Sequence, residues 1–197
     1  LGKTYNLQNL ILFMPNYYLD IETTGLNPEK DQILTIQYQK LDRNTGRAIE
    51  NLTILKAWES SEKEIIKQFL ENTEILEDYA FSFIPVGYNL SFEHNFLKKR
   101  AEIYCLPQVD ILNNPFIDLR AVGILMNEGE FKGSGLDKLT GKEGTGRLVP
   151  IWFENTEYDK IIKYIELEAK EFIRFNSWLY NRMPNLLKLF KAEFNIK

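Results

Sequence analysis

Two carboxylates, Asp20 and Glu22, stand two residues apart at the end of the apolar run YYLDIETTGL (residues 17–26), just before a Thr-Thr-Gly turn. Side chains two apart on a strand project from the same face, so the spacing brings this pair together. Like charges held that close raise each other's pKa, and desolvation beside Tyr18 and Ile21 raises them further, unless a cation neutralises them. A hard divalent metal is the natural partner. The competing reading is a solvated strand end whose acids only cap the turn made by Thr23, Thr24 and Gly25.

Two later acids have positions from which they could join the pair. Glu93 falls in the first turn of SFEHNFLKKR (91–100), which starts as a helix after the apolar strand FSFIPVGYN (81–89). The C-terminal edge of an open α/β sheet is where such folds place ligands. An acid in a first turn also simply complements the helix dipole, and Asn89 and Phe92 read equally as cap and core residue. Glu168 borders the apolar stripe of Ile161, Ile162, Ile165, Ala169, Phe172 and Ile173, with Tyr164 one turn earlier on the same edge. A phenol and a carboxylate therefore project together, either into a site or as a snorkelling surface pair.

The elements that must hold these residues follow from periodicity. QILTIQYQKL (32–41) alternates, DRNTG (42–46) is a turn, and ENLTILKAW (50–58) returns, which predicts an antiparallel meander of three strands with YYLDIETTGL. SSEKEIIKQFLENTEIL (60–76) opens on serine caps and continues with helical spacing. Strands at 81–89 and 116–119 then alternate with helices from 91 and 119, the pattern of parallel βαβ units. The Gly-rich stretch 133–146 is expected to be a mobile connection with a short helix at 136–139. A long helix should run from about Thr156 to Tyr180, and Pro184 should separate it from a last amphipathic piece, 185–194. The expected fold class is α/β, a three-layer arrangement with a mixed central sheet flanked by helices.

Length and composition set the outer bounds. A chain of 197 residues, 44% hydrophobic and with 13 Phe and 10 Tyr, can bury a substantial core in one domain spanning 1–197, with a motif-bearing core of about 16–175 and a helical extension of about 176–197. A single cysteine, Cys105, allows no internal disulfide. With no run of apolar residues long enough to span a bilayer, the expectation is an intracellular, cytoplasmic protein without a membrane partner. The first residue is Leu1, which points to a trimmed N-terminus. A net charge of −4 does not announce a nucleic-acid binder, yet FLKKR (96–100) and the segment from Lys132 to Arg147, with Lys138 and Lys142, offer local basic patches that can also be ordinary solvated faces.

DIETTGL (20–26), NLSFE (89–93) and YIELE (164–168) occur in the order and approximate spacing of the three motifs of the DEDD, or DnaQ-like, 3′→5′ exonucleases, which share a ribonuclease H-like fold. The chain resembles that family from residue 16 to about 175, and FIDLRAVGIL (116–125) is similar to the strand-helix element many members carry between the last two motifs. The third motif fits the tyrosine subclass. The only histidine, His94, abuts the second motif and is followed five residues later by Lys99 rather than an acid. The family usually has Asp where this chain has Glu93 and Glu168, and the extra methylene moves each carboxylate by roughly an ångström.

The resemblance implies a two-metal mechanism with Mg²⁺ or Mn²⁺. By it, Asp20 is the ligand shared by both ions, Glu22 and Glu168 serve the ion on the water side, and Glu93 acts through the second. Tyr164 stays protonated and orients the water. Thr23, Thr24 and Leu26 contact the terminal nucleotide, with Leu26 wedged against its base, while Asn89 and Phe92 line the next one. The implied substrate is the 3′ end of single-stranded DNA or RNA, and a polymerase or helicase is a possible partner. The rival reading keeps the fold without the chemistry: a nucleic-acid-binding or assembly module.

Overall fold

Both faces of the run Asn16–Thr23 (β1) find cover, and this makes it the central strand: Tyr17, Leu19 and Ile21 face one apolar layer and Tyr18 the other. In a computed structural model of the chain, the described residues are 15–77, 79, 81–113, 115–141 and 146–196. Strand β2 (Ile33–Leu41) pairs antiparallel with β1, and β3 (Thr53–Lys56) antiparallel with β2. On the other edge β4 (Ile84–Gly87) and β5 (Ile117–Asp118) add in parallel, giving the order β3-β2-β1-β4-β5. The mixed sheet expected from the meander and the later strand-helix alternation is therefore present. The returning strand is shorter than 50–58, because Ala57–Glu59 tightens into a 3₁₀ turn.

Two helices cover the odd face of β1. Helix α1 (Glu62–Asn72) starts at Ser61, whose hydroxyl accepts the Glu64 amide at 3.2 Å, and α2 (Ser91–Ile103) follows β4. Their Ile65, Ile66, Phe69, Phe96 and Leu97 bury against Tyr17, Leu19 and Ile21. The even face is covered by α6 (Tyr158–Glu193), with Ile161 and Ile165 near Leu34 and Phe172, Phe175 and Leu179 near Tyr18. The shorter α3 (Leu119–Met126), α4 (Leu136–Thr140) and α5 (Val149–Glu154) contribute Leu119, Leu136 and Val149 to that layer. A fully buried side chain of this size contributes about 1.5–3 kcal/mol, so the two apolar layers fix the sheet edge that carries the acids.

Two expectations need correction. Pro184 does not end the long helix: α6 runs through it for 36 residues, about 54 Å. The proline removes one amide donor and crowds the Tyr180 carbonyl, a cost of about 3 kcal/mol in a packed interior. Here every residue from 181 to 196 is exposed, so water can take the freed carbonyl. Second, FLKKR is not a uniform basic face. Arg100 is buried, donating from Nε and Nη2 to Glu62 at 2.7 and 2.6 Å. The same carboxylate accepts the Tyr104 hydroxyl at 2.7 Å and the Ile33 amide at 2.8 Å, which compensates its desolvation and ties α1, α2 and β2 together. Lys98 pairs with Asp110, and Lys99 with Glu29 and Glu102. Val149–Glu154 is an additional helix for which the sequence carried no expectation. Of the other basic segment, Lys142 lies outside the described residues.

Candidate functional site

Asp20 and Glu22 leave β1 on the face that α6 covers, and Glu168 reaches them from α6. One carboxylate oxygen from each residue lies within 4.8 Å of the others. The β1–β2 register shifts between Glu22 and Thr23, a bulge of the kind that re-aims a side chain at a strand end. Glu22 is buried and Asp20 and Glu168 are half-buried, so the three acids form the wall of an opening rather than a solvated strand end.

Under Asp20 lies a polar ladder that the motif analysis does not contain. Gln37 stands opposite Asp20 in the register, and its Nε2 donates to Asp20 Oδ2 at 2.8 Å. The Thr35 hydroxyl donates to Gln37 Oε1 at 2.9 Å, which fixes the amide's orientation. The Tyr18 hydroxyl donates to the same Asp20 oxygen at 3.2 Å, while its ring packs on Phe172. Thr35 and Gln37 are fully buried, and buried polar groups persist only when bonded. A signal existed in the sequence: Thr35, Gln37 and Gln39 repeat at period two in a strand flanked by strands.

Glu93 sits beside this group. It is 3% exposed, and its Oε2 has no hydrogen-bond partner. Burial raises its pKa well above the ordinary carboxylate range, and the neighbouring Asp20 adds to the shift. Oxygens around one hard cation at about 2.0–2.6 Å lie at most about 4–5 Å apart. The clustered carboxylates and the orphaned Glu93 oxygen suit such a cation, and all the donors are oxygen.

Tyr164 completes the wall. Its phenol is pushed far up by burial and by Glu168 and Glu22, and it hydrogen-bonds to Glu168, so it is protonated at any physiological pH. Gly146 leaves room at that point: a β-carbon there would lie 3.3 Å from Tyr164 Oη and 3.7 Å from Glu22 Oε2.

The other expected contacts divide. Thr23 Oγ1 donates to the Gly25 carbonyl at 2.5 Å and Thr24 Oγ1 accepts the Gln32 amide at 2.9 Å, so both hydroxyls brace the turn. Leu26 is 85% exposed. It shares a cleft of about 350 Å³ with Phe92, which packs on Phe96. Asn89 has φ +74°, and its amide donates to Asp118 Oδ1 at 2.8 Å. Asp118 Oδ2 also takes the Leu90 amide at 3.0 Å, and Oδ1 the Arg120 amide at 2.9 Å. Asp118 thus latches the entry of α2, which carries Glu93, to the end of β5.

A second opening, of about 680 Å³, is lined by Asp20, Glu168, Tyr164 and Gly146 together with Tyr88, Arg120, Lys138 and Arg147. Residues 17–145 match the family model of the RNase H superfamily. The chain belongs to the RNase H superfamily. No curated protein matches it. Among solved structures, this RNase H superfamily chain is similar to the zinc-bound complex of Escherichia coli exonuclease I with single-stranded DNA, at 13% identity and a TM-score of 0.62, over 91% of this chain and 43% of the other. The E. coli exonuclease I complex with a dT13 oligonucleotide gives 14% identity and a TM-score of 0.58, over 89% and 43%. A structure of SSB and exonuclease I with the inhibitor CFAM gives 12% and 0.56, over 91% and 44%. At these identities the likeness is one of fold, and the chain spans less than half the length of those it matches.

Proposed function

We propose that this chain is a metal-dependent 3′→5′ exonuclease of the tyrosine subclass, acting on the 3′ end of single-stranded nucleic acid. The observation that carries the reading is the convergence of Asp20, Glu22 and Glu168 oxygens within 4.8 Å, with the buried Glu93 beside them. Divalent cations held there supply an activated water and charge stabilisation of the leaving 3′ oxygen. Asp20, Glu22, Glu93 and Glu168 would hold the cations, whose charge would compensate the buried Glu93 carboxylate. Gln37 keeps Asp20 from rotating away, and Tyr164, protonated and donating to Glu168, presents its phenol oxygen as an acceptor that orients the attacking water. Leu26 and Phe92 flank a cleft whose apolar walls suit the terminal base, by stacking that every base tolerates.

A 5′-labelled single-stranded oligonucleotide incubated with the protein and Mn²⁺ tests this. A descending ladder of products supports the exonuclease. Early internal cuts, or a need for a free 5′ end, contradicts it. A protein that binds the strand tightly and never cuts it is the non-catalytic binding module instead, a reading to which the longer glutamates at 93 and 168 lend some weight.

A further inference from the structure

The large opening is lined by charges of both signs: Asp20 and Glu168 on β1 and α6, and the cations Arg120 and Lys138 on α3 and α4, with Arg147 also lining it. Arg120 lies two residues past the end of β5, which is two strands across from β1, roughly 10 Å at ordinary inter-strand spacing. The acidic residue among these cations is Asp137, which lies 3.7 Å from Lys138 in an exposed pair worth little. Tyr88, which also lines the opening, is held by its hydroxyl bond to the Ser134 carbonyl and packs near Gly123. In a chain of net charge −4, this opening is lined by three cations, Arg120, Lys138 and Arg147, together with the acids.

From this we infer that the large opening is the track for the nucleic-acid strand on the 5′ side of the cleaved bond, with Arg120 and Lys138 holding its next backbone phosphates. The inference rests on the proposed exonuclease reading and adds a direction to it: the terminal base goes to the apolar cleft and the phosphate-rich remainder to the opening that Arg120 and Lys138 line. Tyr88 offers a ring face along the way. Contacts of this kind are independent of sequence, and their signature is salt dependence.

Binding of a fluorescent single strand by Asp20→Asn protein, followed by anisotropy across a salt series, measures the track without requiring cleavage. Arg120→Gln and Lys138→Gln on that background should each weaken binding and lower the slope of log Kd against log salt by about 0.7, the value expected per phosphate contact on a single strand. Arg120→Lys should keep the slope, and circular dichroism melting confirms that each variant folds. With otherwise native protein, the double Gln variant should raise KM for long strands about tenfold while leaving kcat, and the cleavage of a dinucleotide, unchanged. An unchanged slope and affinity in both Gln variants overturns the track. An equal loss for dinucleotide and long strand overturns it too. If the parent never cuts but the slope still falls, the exonuclease reading fails and the track stands.

Discussion

Gln37 Nε2 donates to Asp20 Oδ2 across the β1–β2 pair at 2.8 Å, and Thr35 holds the other end of the same amide at 2.9 Å. Asp20 thus has its orientation set from behind before any cation arrives. Groups that orient a ligand in this way typically govern 10- to 100-fold in metal affinity. Gln37→Leu should therefore weaken Mn²⁺ binding by about that factor in a calorimetric titration, with a stability cost of about 1–3 kcal/mol from the unpaired Thr35 hydroxyl. Mn²⁺ affinity equal to that of the parent would show that the Gln37 amide only fills space.

Glu93 makes a signed prediction for pH. Its folded-state pKa is raised above the ordinary 4.5, so above that pH the folded protein holds a proton that the unfolded chain has released. Its stabilising contribution is full below about pH 4.5 and is lost as pH climbs through the folded value. In EDTA, the melting temperature of the parent should fall relative to that of Glu93→Gln as pH rises from about 4.5. Divalent cation should cancel the difference by taking the proton's place, adding about 2.7 kcal/mol at a hundredfold excess over Kd. Parallel curves for parent and variant in EDTA would contradict this.

Gly146 predicts an effect on rate without one on metal binding. A methyl group placed 3.3 Å from Tyr164 Oη forces the phenol to give way. Misplacing an orienting group by a fraction of an ångström to an ångström costs up to about 100-fold. Gly146→Ala should lower kcat by about 10- to 100-fold with KM and Mn²⁺ affinity nearly unchanged. A variant as fast as the parent would remove Tyr164 from the reaction.

What the sequence makes legible is what depends on local spacing. Asp20 and Glu22 share a face because strand alternation is local, and Tyr164 and Glu168 adjoin because helix geometry is. The meander and the later strand-helix alternation follow for the same reason. Gln37 is a different case: its role depends on standing opposite Asp20, and cross-strand register is set by the whole β1–β2 pairing and its bulge at Glu22. Arg100 reads as one of three adjacent cations, yet it is buried because Glu62, 38 residues earlier, turns toward it. Pro184 carries a strong local stop signal that exposure overrides. Asp118 reads as part of a strand-helix element, and only the fold shows that it latches Asn89 and Leu90.

Glu168 bears most directly on the central claim, since it brings α6 to the acids of β1 and, like Glu93, has a longer arm than the residue usual in the family this chain resembles. The deciding measurement is the rate of release from a 5′-labelled single strand in Mn²⁺ by parent and Glu168→Gln proteins, with strand binding followed alongside. The exchange keeps the shape and removes the charge, and loss of a working ligand commonly costs at least about 10²–10³ in rate, or about 2.7–4 kcal/mol. A parent that produces a 3′→5′ ladder and a Glu168→Gln variant that binds the strand but cuts at least about a hundredfold more slowly is the predicted result. A variant that cuts as fast as the parent, or a parent that never cuts, would contradict it.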